Sequence, residues 1–470
     1  MKNHADIQEQ RMFFEKIFSK SQKTLDLYKR KPVYALRVAS QNTRIVDVVA
    51  KKLGVEKFGE YQNIDSVEFY AQLNGSSDSH KLSTFLNSLL PIIAYTGELE
   101  QLARYRFLFS LTTAMGYPGF AWKDGDIFIF LLKDESSAIA EFNSFSKVFR
   151  NYFGVDLIIE KVDRDIFDSV LQKRFLEAKN YYADKHGEWT AKFVSNLSDE
   201  VSKDSFLHFL SQRITADFLR DNKVCYPITP PPSTAAWRKM RHTLKFDFPK
   251  LDGCPDSHLL KFFHLHTFIY EQYAIPGVVE AQPGDVVIDA GAFIGDTACY
   301  FSRKVGSQGK VYAFEATPES IQSGRLNMEK NGCNNVEFVP FALSDHKKNL
   351  ALTTIPFAPS ANWLTAAPAS HAENTEQSSQ SSIPATSLDE YCQEHSIRFD
   401  FLKSDIEGYE MDMLRGAKNI IARDAPVCAL SLYHRQEDYW QIPQYLAELC
   451  GDYKFWFRCE AEPVLFARRG

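Results

Sequence analysis

The segment Asp285–Phe301, DVVIDAGAFIGDTACYF, limits what this chain can fold into more than any other stretch. Its apolar run, Val286–Ile288, ends on Asp289; Gly291 and Gly295 follow, and a helix is expected from about Thr297. A short apolar strand that passes through a glycine turn into a helix delivers its loop to the carboxyl edge of a parallel sheet. Open α/β folds bind their ligands there. The two glycines let the backbone crowd a ligand and turn sharply into the helix. The spacing is D-x-G-x-x-x-G, not the G-x-G-x-x-G that seats a pyrophosphate on a helix N-terminus. Asp289 stands where a phosphate would be repelled, so a ligand with a cationic amino group is expected.

Two further strand ends agree. Lys310–Phe314 (KVYAF) reads as the next strand and ends in Glu315, 20 residues after Gly295. A carboxylate at that tip can accept hydrogen bonds from both hydroxyls of a ribose. The methionine end of S-adenosylmethionine is an example of the cationic ligand expected at Asp289. A third strand, Val336–Phe341, runs into Ala342, Leu343, Ser344 and Asp345, placed to meet the adenine edge. Taken singly, Asp289 reads as a loop cap and Glu315 as a solvated strand end; the pair at these spacings favours a ligand.

The third block is Phe399–Gly416, FDFLKSDIEGYEMDMLRG. A strand, Phe399–Lys403, is expected to end at Asp405, with Glu407 two residues on and pointing to the same side. Two carboxylates facing one cleft suit activation of a hydroxyl, directly as a base or through a divalent metal. The bland alternative is a helix-entry cap by Asp405 with Glu407 on the first turn. A fifth strand, Val427–Tyr433, ends in His434, which either lines the site or is satisfied structure.

Around this core the 470 residues leave room for more than one domain. Strand-like and helical stretches alternate through about Asn196, which predicts an N-terminal α/β, Rossmann-like domain over residues 1–192. Its first turn, Val33 to Arg44, contains no glycine, so a nucleotide scaffold is expected without an intact phosphate site. Residues 193–266 read as a helical and Pro-rich linker, stiffened by PITPPP at 227–232. Residues 267–470 carry the site. Within them, Pro356–Thr386, with SSQSS at 378–382, reads as a long polar surface insertion. Net charge is −6, which gives no field to recruit nucleic acid. The eight cysteines are scattered without a C-x-x-C pair, so no zinc site is expected. The stretch Thr84–Gly97 is too short to span a bilayer and is broken by Pro91. A cytoplasmic protein with no membrane span is the expectation.

The chain resembles the FkbM methyltransferase family in VIDAGAFIGDT at 287–297, FEATPE at 314–319, LDEY at 388–391, LKSDIEGYE at 402–410, LRGA at 414–417 and LYH at 432–434. LSDEVSKDSF at 197–206 and Gln272–Tyr273 look like the lead-in some members carry. The resemblance covers roughly 195–470 and implies a seven-strand, doubly wound methyltransferase domain with S-adenosylmethionine as donor. It places Gly291, Ala292, Phe293, Gly295, Asp296 and Thr297 in the cofactor loop with Asp289. Glu315 and Ala316 would follow at the second strand end, and Ala342 and Leu343 at the third. It also implies methyl transfer to a hydroxyl oxygen on a small-molecule or glycan acceptor, with Asp405, Glu407 and His434 as the chemical residues.

Two rival classes remain at this stage. A nicotinamide-dependent oxidoreductase also uses a strand-turn-helix with an acidic residue on the ribose, but the central glycine of the triplet is missing and Asp289 is present. A non-catalytic scaffold would have no need of Asp289, Gly295, Glu315, Asp405 and Glu407 together.

Overall fold

A computed structural model describes residues 32–39, 119–121, 127–130, 135–162, 164–219, 248–254, 257–353, 363–366, 381–435, 437–459 and 462–470, with scattered positions before residue 27 and residue 48. The chain divides into two compact units. One comprises residues 1–188, 210–224 and 355–358, and the other 189–209, 225–354 and 359–470. Residues 193–209, expected as linker, therefore belong with the C-terminal unit.

In the first unit, β1 (Val33–Val38), β2 (Gly119–Ala121), β3 (Ile127–Phe130) and β4 (Leu157–Lys161) form a sheet in the order β2-β3-β1-β4. Every neighbouring pair is antiparallel. This corrects the Rossmann-like expectation for the described strands, because that fold pairs its strands in parallel. The helix α1 (Glu135–Phe153) does link β3 to β4, yet β1 runs between them in the opposite direction. Alternating strand and helix patterns report the order of elements, not which strand slots between two others. Elements expected between residues 43 and 115 lie outside the described residues, residue 48 excepted. The helix α2 (Arg164–Lys179) continues into a π-helical turn over Asn180–Lys185.

The helices α3 (Gly187–Ser195) and α4 (Glu200–Leu219) come next in the chain, residues 189–209 of them belonging to the second unit, and α5 (Ser257–Phe268) follows in that unit. Then come β5 (Val286–Ala290), α6 (Asp296–Val305), β6 (Lys310–Phe314), α7 (Pro318–Asn331) and β7 (Val336–Val339). The short β8 (Ala342–Leu343), β9 (Lys348–Thr353), β10 (Trp363–Ala366) and β11 (Ser381–Thr386) make a separate sheet in the order β10-β9-β11-β8. The chain returns through α8 (Leu388–Glu394), β12 (Phe401–Ser404), α9 (Glu410–Arg415), α10 (Lys418–Asp424) and β13 (Val427–Ser431). It finishes with α11 (Asp438–Leu449), β14 (Tyr453–Arg458) and β15 (Val464–Arg469).

The seven-strand sheet has the order β14-β15-β13-β12-β5-β6-β7. It is mixed: β15 runs antiparallel to β13 and β14, and the other neighbours are parallel. The central strands are buried on both faces, which is why they read as continuous apolar runs rather than alternating ones. Val287, Val311, Ala313, Phe401, Ala429 and Phe466 belong to one buried cluster. The chain runs outward from β5 to β7 and then crosses back to β12 on the other side of β5. The topological switch therefore falls between β5 and β12, the place where open α/β sheets bind ligands.

The insertion is not wholly a loop. Its C-terminal end is β11, which pairs with β9 and β8, and residues 363–366 pair with β9. Ile383 and Ala385 are buried, alternating with exposed Ser382 and Pro384, and pack with Leu350 and Ala342. That two-residue period was masked by the Ser, Ala and Pro content around it.

The edge strand β14 is covered by the lead-in segment. Leu197 bridges Phe455, Ser198 N donates to the Phe455 carbonyl at 2.8 Å, and Phe457 N donates to Ser202 Oγ at 2.9 Å. Phe193 packs edge-on against Phe455, and Phe206 against Phe457. Covering an edge this way removes a template for mispairing. Asp199 ties the arrangement together: its Oδ1 accepts from Ser202 N at 2.7 Å, and Arg458 Nη2 meets Oδ2 at 2.9 Å. Burial opposes charge on this carboxyl, but Arg458 and Ser202 outweigh it and lower its pKa to about 2. Asp199→Ala removes a helix cap and a partly exposed ion pair, and is expected to destabilise the unit by about 1–2 kcal/mol. Urea unfolding at pH 7 measures this. The difference should shrink as pH falls from 4 towards 2, since a depressed carboxyl pKa contributes stability only above it.

Candidate active site

The glycine loop is built as the spacing required. Gly291 has φ +80° and Gly295 φ +88°, both in the left-handed region. A Cβ on Gly291 would stand 1.9 Å from the Asp405 carbonyl oxygen, and one on Gly295 would stand 2.8 Å from Met328 Cε. The first contact is with backbone, so no side-chain adjustment could relieve it. The amides of Gly291 and Ala292 both donate to the Phe314 carbonyl at 3.0 Å, and Asp405 N donates to the Ala290 carbonyl at 3.0 Å. These bonds bring the ends of β5, β6 and β12 to one point.

Asp289 is fully buried, and its oxygens are taken by protein groups. Lys403 Nζ lies 3.0 Å from Oδ1, and Thr297 Oγ1 donates to Oδ2 at 2.7 Å. This geometry leaves it no exposed oxygen for a ligand's amino group, a departure from the direct contact expected of it. Lys403 is itself 2% exposed and also donates to the carbonyl of Gly291 at 2.9 Å. Burial alone would lower the ammonium's pKa, but Asp289 and Asp405 keep it above its usual value. Asp296 opens α6 and accepts from Thr267 Oγ1 at 2.9 Å; burial pushes its carboxyl up to about 6.

Glu315 closes over the loop from the tip of β6. Oε2 accepts from Phe293 N at 2.9 Å, and Oε1 from Thr317 N at 2.8 Å. Burial raises its pKa against the pull of these amides. Phe293 holds φ +46°, and its ring meets Phe263 edge-on at 5.9 Å. Ala292, Ala342 and Leu343 are buried, so their side chains serve packing; Ala316 packs against the cluster that includes Ala342 and Tyr409.

The second group gathers past β12. Asp405 Oδ2 accepts from Tyr273 at 2.8 Å and Oδ1 from Tyr433 at 3.1 Å. Burial and the Asp405 charge raise both phenols well above their usual pKa, so each remains a donor. His434 Nε2 lies 3.4 Å from Asp405 Oδ1 and 3.7 Å from Glu407 Oε2, while Nδ1 meets Glu410 Oε1 at 2.8 Å. Burial opposes charge on this ring, but Glu410, Glu407 and Asp405 raise its pKa well above that of an ordinary imidazole. A protonated ring donates and orients; it is not a resting base. Glu410 is buried, yet His434 and the Ile406 amide hold its pKa below the usual value.

Asp405, Glu407 and His434 thus come together, but not by strand alternation. The strand ends at Ser404, and Glu407 and Gly408 take left-handed φ values of +54° and +97°. Nor does Asp405 cap α9, whose N-cap is Tyr409. Sequence reasoning missed Lys403, Glu410, Tyr273, Tyr433 and Glu462 as members of the site. Glu462 accepts from Gln272 Nε2 at 2.9 Å, and burial beside Asp405 raises its pKa to about 7. The signal was present for most of them, in LKSDIEGYE, in LYH and in the Gln272–Tyr273 pair.

Residues 289–455 match the family model described as the methyltransferase FkbM domain. Over these residues the chain is similar to an FkbM methyltransferase domain. The matched span begins on Asp289 and includes Glu315, Lys403, Asp405, Glu407, Glu410 and His434. Methyltransferase 1 of Beauveria bassiana (strain ARSEF 2860) is 28% identical over 170 residues, which are 33% of this chain and 67% of that protein. An uncharacterized RNA methyltransferase of Oceanobacillus iheyensis is 46% identical over 54 residues, 12% of this chain and 11% of its own length. Among solved structures, methyltransferase FkbM from Methylobacillus flagellatus KT covers 70% of each chain at 15% identity with a TM-score of 0.39. Among the described residues, no helix is long and apolar enough to cross a membrane.

Proposed function

We propose that the C-terminal unit transfers a methyl group from S-adenosylmethionine to a hydroxyl oxygen of a small-molecule or glycan acceptor. One observation carries this reading: Glu315 braces the glycine loop at the β5/β12 switch, and Asp405 begins from the same point. The Glu315 carboxylate, fixed by the amides of Phe293 and Thr317, stands at the tip of the second strand, where a ribose would be met. Asp289 acts through the loop it pins to Lys403 and Thr297 rather than by touching the donor. Gly291, Phe293, Gly295, Asp296 and Thr297 shape the cradle, and Ala316, Ala342 and Leu343 back the adenine end.

In the transfer, a lone pair of the acceptor oxygen forms the O–CH3 bond as the C–S bond breaks. The sulfur keeps the bonding pair and leaves as a neutral thioether. The hydroxyl proton passes to the Asp405–Glu407 carboxylate pair. Much of the rate comes from aligning oxygen, methyl and sulfur within near-attack distance.

Titration calorimetry of the whole chain with S-adenosylmethionine and with NAD separates this reading from a nicotinamide enzyme. Glu315→Ala is expected to weaken S-adenosylmethionine roughly ten- to hundred-fold, the loss of about 1.5–3 kcal/mol of paired hydrogen bonds. The amides of Phe293 and Thr317 lose their acceptor too, so the melting temperature should fall with it. Unchanged affinity in Glu315→Ala would remove the ribose role.

A further inference from the structure

We infer that His434, Asp405 and Glu407 form a site for a divalent transition-metal cation, with the acceptor's hydroxyl oxygen as a further ligand. The second half of this statement rests on the methyl-transfer reading; the cation site itself does not.

The cluster is not simply acidic. His434 Nε2 is buried and bears no hydrogen bond, although two carboxylate oxygens stand before it at 3.4 and 3.7 Å. Those distances are long for charge-assisted hydrogen bonds, which close to about 2.7–2.9 Å. They match an edge of a coordination polyhedron: two ligand atoms about 2.1 Å from one ion, at a near-tetrahedral angle, lie about 3.4 Å apart. The opposite side of the ring is fixed by Glu410, whose Oε1 meets Nδ1 at 2.8 Å. A carboxylate on Nδ1–H directs the Nε2 lone pair outward, the arrangement that orients metal-bound histidines. Glu410 is 0% exposed, and its second oxygen, Oε2, also has no partner. Ligand atoms of Asp405, Glu410 and His434 all lie within 4.8 Å of one another.

Charge supports the same conclusion. Three carboxylates surround the ring; the Lys403 ammonium is engaged by Asp289 and the Gly291 carbonyl, and the Arg435 guanidinium lies over the Tyr409 ring. A proton on Nε2 and a cation are alternative occupants of one negative position, so binding the ion displaces the proton. One imidazole with carboxylates favours Mn2+, Fe2+ or Zn2+ over Mg2+, which prefers oxygen ligands alone.

The test uses the full chain, stripped with chelator and dialysed, then titrated with Mn2+ under EPR detection and with Zn2+ by calorimetry. Both titrations are run with and without S-adenosylmethionine. One Mn2+ per chain should be silenced, and His434→Ala should abolish this. Glu410→Gln should weaken it roughly 10- to 100-fold, because the ring loses its orienting acceptor. S-adenosylmethionine affinity, measured in parallel, checks that each variant is folded, and Glu407→Gln serves where His434→Ala fails that check. No bound ion in the parent, or stoichiometric binding that survives both His434→Ala and Glu407→Gln, overturns the site. Ion binding without S-adenosylmethionine binding would support the site and sink the methyl-transfer reading instead.

Discussion

Lys403→Met is expected to destabilise the C-terminal unit by about 3–5 kcal/mol, the cost of leaving one member of a buried ion pair uncompensated. The replacement keeps length and most of the volume and removes only the charge. Asp289 would then be a carboxylate with no exposure, its remaining bond coming from Thr297 Oγ1. The carbonyls of Ala290 and Gly291 would lose the ammonium that now donates to them at 3.3 and 2.9 Å. These groups form the start of the glycine loop, so S-adenosylmethionine binding should fall with stability. Asp289→Asn combined with Lys403→Met should recover much of the loss, because no charge is then stranded; partners in one network are not additive. Urea unfolding followed by hydrogen exchange at β5 and β12 amides measures the effect on the right unit. A wild-type midpoint in Lys403→Met would mean that Asp289 is solvated or protonated in solution and that the pair contributes nothing to the loop.

This pair also shows what the sequence could and could not convey. Asp289 after an apolar run was legible as an important carboxylate, because strand, glycine and helix patterns are local. Its partner lies 114 residues further on, inside the run FDFLKSD, where a lysine reads as the polar end of a strand. Only the parallel pairing of β5 with β12, which sets Lys403 opposite Asp289 in register, discloses that the two charges meet. The sheet itself was legible for the same local reasons: Lys310–Phe314 is the strand its pattern predicts, and the helix after the glycine loop begins one residue before Thr297. The convergence of Asp405 and Glu407 was anticipated through a wrong device. Strand alternation was expected; a left-handed turn at Glu407 and Gly408 does the work, and only the φ values reveal it. Tyr273, Tyr433 and Glu462 come from three separate segments, and no period within any one of them could have joined them around Asp405.

Asp405→Asn should lower turnover by about 10²- to 10⁴-fold, the range a positioned base or its equivalent contributes to activating a neutral hydroxyl. S-adenosylmethionine affinity should stay within a few-fold, because the donor's cradle is made by the glycine loop and Glu315. The substitution is close to isosteric, but its chemistry differs at two contacts. Asp405 now accepts from both Tyr273 and Tyr433, whose hydroxyls are held protonated. An asparagine can accept from one and must present an NH2 to the other, so one phenol has to turn. It also removes the negative charge that faces His434 and, on the inference above, one ligand of the cation. Glu407→Gln, which leaves Asp405 as the acceptor of both tyrosines, separates these causes: equal losses in the two variants indicate a shared charge or ion, and a loss confined to Asp405→Asn indicates the tyrosine-held carboxylate alone. Chelator treatment of the parent should reproduce the loss, and added Mn2+ should restore it, if the pair acts through a cation. Turnover near the parent's in both variants, measured with a confirmed acceptor, would show that Asp405 and Glu407 only hold Tyr273, Tyr433 and His434 in place. Glu462, buried beside Asp405 and bonded to Gln272, would then be the first residue to test as the group that receives the hydroxyl proton.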